Sequence, residues 1–388
     1  MRVAINCQIL TVNRLGVGRY LTTLLQALSA TDSENEYVLL ANPRIRELLP
    51  ERPNFEVVAP IFPIRGTRSR ILWEQVFLPK ELRRQRADLV HFPDQSLPLL
   101  SVLPCPIVVT VHDLTTYRYP KAYTRGKVLY KKLATRAAMR QATRIIAVSQ
   151  STKQDILELF GISGSRVRSI YSGLDRHFRP VQDHSRLERT RTALGLPEQY
   201  ILHVGSIDPR KNLITLFKAL AILRDDGLQV DLVVAGSREY NYRPIFDTVH
   251  ALGLEDQVLF LGFVSDAELV DIYNLAQLFV FPSIHEGFGY PPLEAMACGT
   301  PVVVSNSSSL PEIVGDAALQ VDPFNAAEIA TAIRLLLTDS GLREQLASRG
   351  KQRAAFFTWE RTARETLKVY EEVVRESARE ALIEDKER

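Results

Sequence analysis

Glu286 and Glu294 stand eight positions apart in His285-Glu286-Gly287-Phe288-Gly289-Tyr290-Pro291-Pro292-Leu293-Glu294. A carboxylate accepts from both hydroxyls of a diol, as acidic residues do for ribose in nucleotide-binding folds. Pro291 and Pro292 suit the opening of a helix, where no amide donor is needed, and Gly299 suits its end. The segment therefore reads as strand, glycine-rich loop, helix. Glycine backbone admits a ligand closely, and a helix start attracts anions. Glu294, expected in the helix's first turn, suits a ribose diol, and Glu286 suits the hydroxyls of a bound sugar. Taken singly, Glu294 also reads as a residue favouring a helix start and Glu286 as a loop surface residue. Together with the glycines and prolines they favour a site.

A second strand-to-helix junction is His203-Val204-Gly205-Ser206-Ile207-Asp208-Pro209-Arg210-Lys211-Asn212. Asp208 suits an N-cap and Pro209 the first helical position, which puts Arg210 and Lys211 in the first turn. Cations there oppose the helix dipole, a placement that makes sense around a bound anion such as a diphosphate. The plainer reading is two solvated cations beside Asp208. A third junction, Asn13-Arg14-Leu15-Gly16-Val17-Gly18-Arg19-Tyr20, carries Gly16 and Gly18. The dinucleotide fingerprint is incomplete, because Leu21 replaces its third glycine and Leu40-Ala41-Asn42 supplies no acid. NAD is disfavoured. The loop either closes over a diphosphate or simply needs glycine to turn. His112, in Val111-His112-Asp113-Leu114, ends a strand and either touches a sugar or is a satisfied structural residue.

The elements that must position these residues are short apolar strands alternating with helices. The strands are expected at Val3–Cys7, Tyr37–Asn42, Phe55–Pro60, Asp88–Phe92, Ile107–His112, Arg144–Ser149 and Val167–Tyr171. In the second half they are expected at Tyr200–Gly205, Asp231–Ala235, Val258–Leu261, Leu278–Phe281, Val302–Ser305 and Leu319–Asp322. Continuous apolar runs fit parallel sheets covered on both faces, hence an α/β fold. With 388 residues, two doubly wound domains are expected. The boundary falls between Ser172 and Tyr200, with the polar stretch to Arg191 as linker, and a cleft is expected between the halves.

Net charge is +3, so the chain is no general polyanion binder, and a nucleic-acid partner is not expected. Cys7, Cys105 and Cys298 are scattered and suit neither disulfides nor a zinc site. The N-terminus lacks signal-peptide shape and no apolar run suffices to span a bilayer, so a cytoplasmic protein is expected. Leu114 to Gln154 contains no Asp or Glu and ten Lys or Arg residues. That stretch reads either as a face for anionic lipid or for a diphosphate-linked lipid acceptor, giving a peripheral membrane protein, or as an ordinary charged surface. Tyr370 to Arg388 reads as a solvated, glutamate-rich helix.

Together these residues resemble the retaining glycosyltransferases of family GT4, whose fold is called GT-B. The likeness covers nearly the whole chain. Glu286 and Glu294 match the E-x7-E signature, and Glu294-Ala295-Met296-Ala297-Cys298-Gly299-Thr300-Pro301 matches its surroundings. Gly205 with Arg210-Lys211-Asn212 matches the phosphate segment. His112-Asp113 and Tyr171-Ser172-Gly173-Leu174-Asp175 match related positions. Val17 separates two glycines that many members have adjacent.

The resemblance implies two Rossmann-like domains. Residues 1–178 would form the acceptor domain, residues 179–359 the donor domain, and a final helix, 360–388, would cross back to the first. It implies a nucleotide-diphosphate sugar donor, no essential metal and retention of configuration. Arg210 and Lys211 would neutralise the departing diphosphate, Glu294 would hold ribose and Glu286 the transferred sugar. Phe288 and Gly289 amides would lie beside them, with His112 reaching the sugar. The backbone near Gly262-Phe263-Val264-Ser265 would read the base. Likeness to bacterial polysaccharide mannosyltransferases makes GDP-mannose the first donor and a UDP-sugar the second, with a glycan or lipid-linked glycan as acceptor. A sugar phosphorylase, a sugar-nucleotide epimerase and a non-catalytic sugar-nucleotide binder share the pattern.

Overall fold

The computed structural model describes residues 1–11, 16–62, 64–95, 97–98, 102–239 and 241–387. Asn13, Arg14 and Leu15 of the first glycine loop lie outside the described residues. Every expected strand forms. The first sheet contains β1 (Arg2–Asn6), β2 (Glu36–Leu40), β3 (Phe55–Val58), β4 (Leu89–Phe92), β5 (Ile107–Val111), β6 (Arg144–Ala147) and β7 (Val167–Ser169). The second contains β8 (Tyr200–Val204), β9 (Asp231–Ala235), β10 (Val258–Gly262), β11 (Leu278–Phe281), β12 (Val302–Ser305) and β13 (Leu319–Val321).

The orders are β3-β2-β1-β4-β5-β6-β7 and β10-β9-β8-β11-β12-β13, parallel throughout. Their apolar runs explain this. Val3, Ala4, Ile5, Val302, Val303 and Val304 are fully buried, as strands covered by helices on both faces must be. In each sheet the chain winds outward one way, returns to the centre and winds out the other way. Ligands bind beyond the carboxyl ends of the strands at that reversal. The reversals fall between β1 and β4 and between β8 and β11.

Two compact units result. One comprises Met1–Leu114, Gly126–Gly173 and Thr358–Arg388, and the other comprises Thr115–Arg125 with Leu174–Phe357. The chain passes between units at Gly173/Leu174, five residues earlier than the expected 178/179 division, and Leu174 N–H donates to Phe357 O at 3.0 Å. Thr115–Arg125 groups with the second unit, where the Tyr119 ring lies 5.6 Å from that of His285.

Two expectations need correcting. The supposed linker holds a helix, His184–Leu194, capped by Asp183 and ended by left-handed Gly195. Only Leu187 of this helix is buried, so its composition looked like a linker's; Arg186 and Thr190 fasten it to Asp271. The last helix, Trp359–Glu387, is solvated as expected only beyond Val374, and its part up to there is packed. Val369, Tyr370 and Val373 lie in the first unit's core, and Glu372 and Glu376 pair with Arg168 and Arg144.

Candidate functional site

Ile201 and Leu202 pair with Leu278 and Phe279, so β8 and β11 end side by side. The loops leaving them are knitted together. Ile284 N–H and Ser283 Oγ donate to Arg210 O at 2.9 and 3.2 Å, and Asn212 Nδ2 donates to Pro282 O at 3.2 Å.

Arg210 and Lys211 do not occupy an α-helical first turn. They form a single 3-10 turn, Pro209–Lys211, whose N-cap Asp208 accepts from Arg210 N–H at 2.9 Å. Asn212 is left-handed at φ 58°, and the α-helix Leu213–Asp225 starts after it. The turn is therefore offset from the helix axis, and the dipole penalty inferred from sequence does not apply.

Both cations converge on Glu286. Lys211 Nζ lies 2.7 Å from Glu286 Oε1, and Arg210 Nη1 lies 3.0 Å from Oε2. Ser283 Oγ also donates to Oε1, and Glu286 N–H donates to Ser308 Oγ at 2.9 Å. The three charged side chains are 8–15% exposed, so water screens them little. Burial alone would raise the Glu286 carboxyl; Lys211 and then Arg210 outweigh it and hold its pKa at about 2. Burial draws Lys211 below the usual lysine value against the pull of Glu286.

Behind Lys211 sits His203, fully buried, with Nδ1 3.0 Å from Val280 O and its ring stacked on Phe281. Burial and then Lys211 push its pKa down to about 4, so the ring is neutral near pH 7. A neutral ring bonded to a carbonyl at Nδ1 carries its proton there. Lys211 Nζ also lies 4.7 Å from the centre of the Phe281 ring. A side chain at Gly205 would put its Cβ 3.2 Å from Lys211 Cε. Glycine there leaves the lysine room.

The second carboxylate belongs to the helix Tyr290–Cys298, which starts at Tyr290. Glu294 is thus its fifth residue, past the first turn where it was expected, because the helix begins one residue before the prolines. It is 5% exposed, and Tyr273 Oη donates to its Oε2 at 3.0 Å. Gly289 caps this helix at φ 117°, and its Cβ would come within 2.8 Å of Leu310 Cδ2, so only glycine fits without strain. Phe288 is buried against Tyr290 and Phe357, and its carbonyl accepts from Ser309 Oγ at 2.6 Å. Val264 follows β10, just before Ser265 caps the helix Asp266–Leu275.

The remaining expected residues belong to the first unit. Gly16 caps the helix Val17–Thr31 at φ 52°, and Gly18 is buried inside that helix, so it is not part of a loop. His112 Nε2 lies 2.8 Å from Pro93 O, and its ring packs edge-on to Tyr20 at 4.7 Å. Sequence reasoning missed Ser283, Ser308, Tyr273 and His203. Only their placement just beyond, or at the end of, a strand or helix gave any sign of them.

The sequence matches the family model "Glycosyl transferases group 1" over residues 186–353 and "Glycosyltransferase Family 4" over residues 15–178. It is 32% identical to O-antigen chain mannosyltransferase B of Escherichia coli over 264 residues, 68% of this chain and 69% of that protein. The chain belongs to glycosyltransferase family 4.

It is also 34% identical over 283 residues to the serotype-specific mannosyltransferase WbdA of Escherichia coli; the match covers 71% of this chain and about a third of that longer protein. Anabaena HepE, solved with UDP and glucose, superposes with a TM-score of 0.74 at 20% identity over 96% of this chain and all of its own. WaaG, a lipopolysaccharide glycosyltransferase, superposes at 0.68 with 18% identity over 95% and 99% of the two chains. These likenesses establish the GT-B fold for this glycosyltransferase.

Proposed function

We propose that this glycosyltransferase transfers mannose from GDP-mannose to a glycan or lipid-linked glycan acceptor in polysaccharide synthesis, with retention of anomeric configuration. The observation that carries the reading is the convergence of Arg210 and Lys211 on one carboxylate at the carboxyl ends of β8 and β11. A nucleoside diphosphate brings more negative charge than Glu286 and draws both cations to itself. Their charge, held in a poorly hydrated site, then stabilises the leaving group as the glycosidic bond breaks. Glu286, released from the cations, accepts from the sugar's hydroxyls, and Glu294 accepts from ribose. In this reading Glu286 accepts hydrogen bonds and is not a covalent nucleophile. The acceptor hydroxyl attacks from the side the diphosphate leaves and passes it the proton. Mannose is preferred because the relatives matched over most of this chain's length include O-antigen mannosyltransferases.

The test is thermal shift and transfer with GDP-mannose and UDP-sugars, with the product anomer read by NMR and EDTA present throughout. The reading predicts stabilisation by GDP-mannose and an α-linked product. Preference for a UDP-sugar replaces the donor. Phosphate-dependent turnover without acceptor replaces transfer by phosphorolysis. Tight binding with neither transfer nor hydrolysis makes the protein a binding module.

A further inference from the structure

His203 is a polar residue within the apolar strand β8, Tyr200–Val204, and it is fully buried. Its Nδ1 donates to the Val280 carbonyl at 3.0 Å and so carries the proton. Nε2 is then a bare acceptor, and it has no hydrogen-bond partner among the described residues. A buried acceptor that has lost its water without a replacement is destabilising, so an apolar residue would suit this strand better.

Two observations place that lone pair beside Lys211. A Cβ on Gly205 would come 3.2 Å from Lys211 Cε and 3.6 Å from His203 Nε2. The lysine stem and the ring nitrogen therefore border one gap, open because residue 205 is glycine. Both side chains also meet the same ring. Phe281 stacks on the imidazole with centroids 5.5 Å apart, and Lys211 Nζ lies 4.7 Å from its centre. In the resting arrangement Nζ donates to Glu286.

We propose that His203 is a positioning residue for Lys211, its Nε2 accepting a Lys211 N–H once a nucleoside diphosphate has displaced Glu286. The inference rests on the reading that Lys211 meets the leaving diphosphate. A carboxylate holds the ammonium but cancels its charge. A neutral imidazole holds it and leaves that charge for the oxygens that become more negative as the glycosidic bond breaks. Burial and the nearby Lys211 push the ring's pKa down to about 4, so it stays an acceptor at neutral pH. No proton is transferred to or from His203.

The test compares His203→Phe, which keeps an aromatic ring against Phe281 and removes both nitrogens, with His203→Gln, which returns an acceptor. Turnover is measured with GDP-mannose or with the UDP-sugar that replaces it. In His203→Phe kcat should fall about tenfold while the donor KM stays within about twofold, and His203→Gln should recover much of the loss. In a Lys211→Met background His203→Phe should change kcat by less than about twofold, because the ring acts through the lysine. In wild type labelled with 15N-histidine, the His203 Nε2 resonance is assigned by its absence from His203→Gln. It should move upfield when GDP or UDP, whichever raises the melting temperature, is added. That readout does not depend on the phenylalanine variant folding. An unmoved resonance with nucleotide bound overturns the inference. So does unaltered kcat in His203→Phe, or losses that multiply in the double variant, and in each case an impaired Lys211→Met leaves the donor reading standing. An unimpaired Lys211→Met, or no stabilisation by either nucleotide, overturns that reading and this inference with it.

Discussion

Lys211 Nζ and Glu286 Oε1 sit 2.7 Å apart although 75 positions separate them in the chain, and each is the other's nearest opposite charge in a poorly hydrated loop pair. The cation proposed to meet the leaving group is thus already neutralised before any ligand arrives. A donor has to exchange one counter-ion for another.

Lys211→Met keeps most of the side-chain volume and removes the ammonium. Arg210 remains to balance Glu286, so the fold should persist with a melting temperature lowered by only a few degrees. Transfer should fall about a hundredfold or more, as when a preorganised group facing a developing negative charge is lost. Steady-state kinetics with wild-type and variant enzyme under saturating acceptor check this. Unaltered kcat/KM would remove Lys211 from the reaction.

Glu286→Gln leaves two buried cations without a full counter-charge and should destabilise the protein by about 2–3 kcal/mol at neutral pH. The pH dependence is specific. Glu286 has a folded pKa of about 2, below its ordinary value, so its contribution to stability is complete above about pH 4.5 and is lost as pH falls towards 2. The gap in melting temperature between wild type and E286Q should be flat from about pH 7 to 5 and should shrink towards pH 3. A gap that widens on acidification would contradict the depressed carboxyl. Circular dichroism across that range suffices.

Tyr273→Phe removes the hydroxyl that donates to Glu294 and changes little else in a buried aromatic cluster with Phe178 and Phe279. Glu294 then loses one restraint worth about 1 kcal/mol. Donor affinity, read by calorimetry, should drop by roughly fivefold, with kcat nearly unchanged. A large fall in kcat with donor affinity intact would move Glu294 from ribose to the reacting sugar.

Gly289→Ala forces a side chain into a left-handed position at φ 117° and against Leu310. The cost should be about 1–3 kcal/mol of stability, and donor binding should weaken with it because the same turn opens the helix carrying Glu294. Gly126→Ala, where nothing lies within 4 Å of the added carbon, is the matched control and should be neutral or slightly stabilising.

The fold was readable because parallel strands buried on both faces leave unbroken apolar runs such as Val302–Val304 and Leu232–Ala235, and because proline and glycine bracket the helix Tyr290–Cys298. The individual site segments were readable for the same reason. Their mutual geometry was not. Whether Glu286 faces a sugar or a lysine depends on the pairing of β8 with β11, which no local pattern encodes. The 3-10 turn at Pro209–Lys211 depends on Asn212 turning left-handed, and Asn212 is held there by Pro282 O and Pro323 O from distant loops. The helix His184–Leu194 escaped notice because it buries a single leucine. In the basic stretch the charge was visible, but only the structure showed that Leu129 and Leu133 point outward with it.

The interior of the first unit includes Trp359, Ala363, Val369, Tyr370 and Val373, contributed by the last helix, with the Tyr370 hydroxyl 2.6 Å from His91 Nδ1. Residues of the first sheet therefore wait for residues of the helix Trp359–Glu387, synthesised about 200 positions or more later. The second unit, nearly all of it one uninterrupted stretch, can close while synthesis continues. A released chain truncated after Phe357 should resist protease across its second half and remain cleavable across its first. That order inverts the usual N-terminal-first sequence of domain folding.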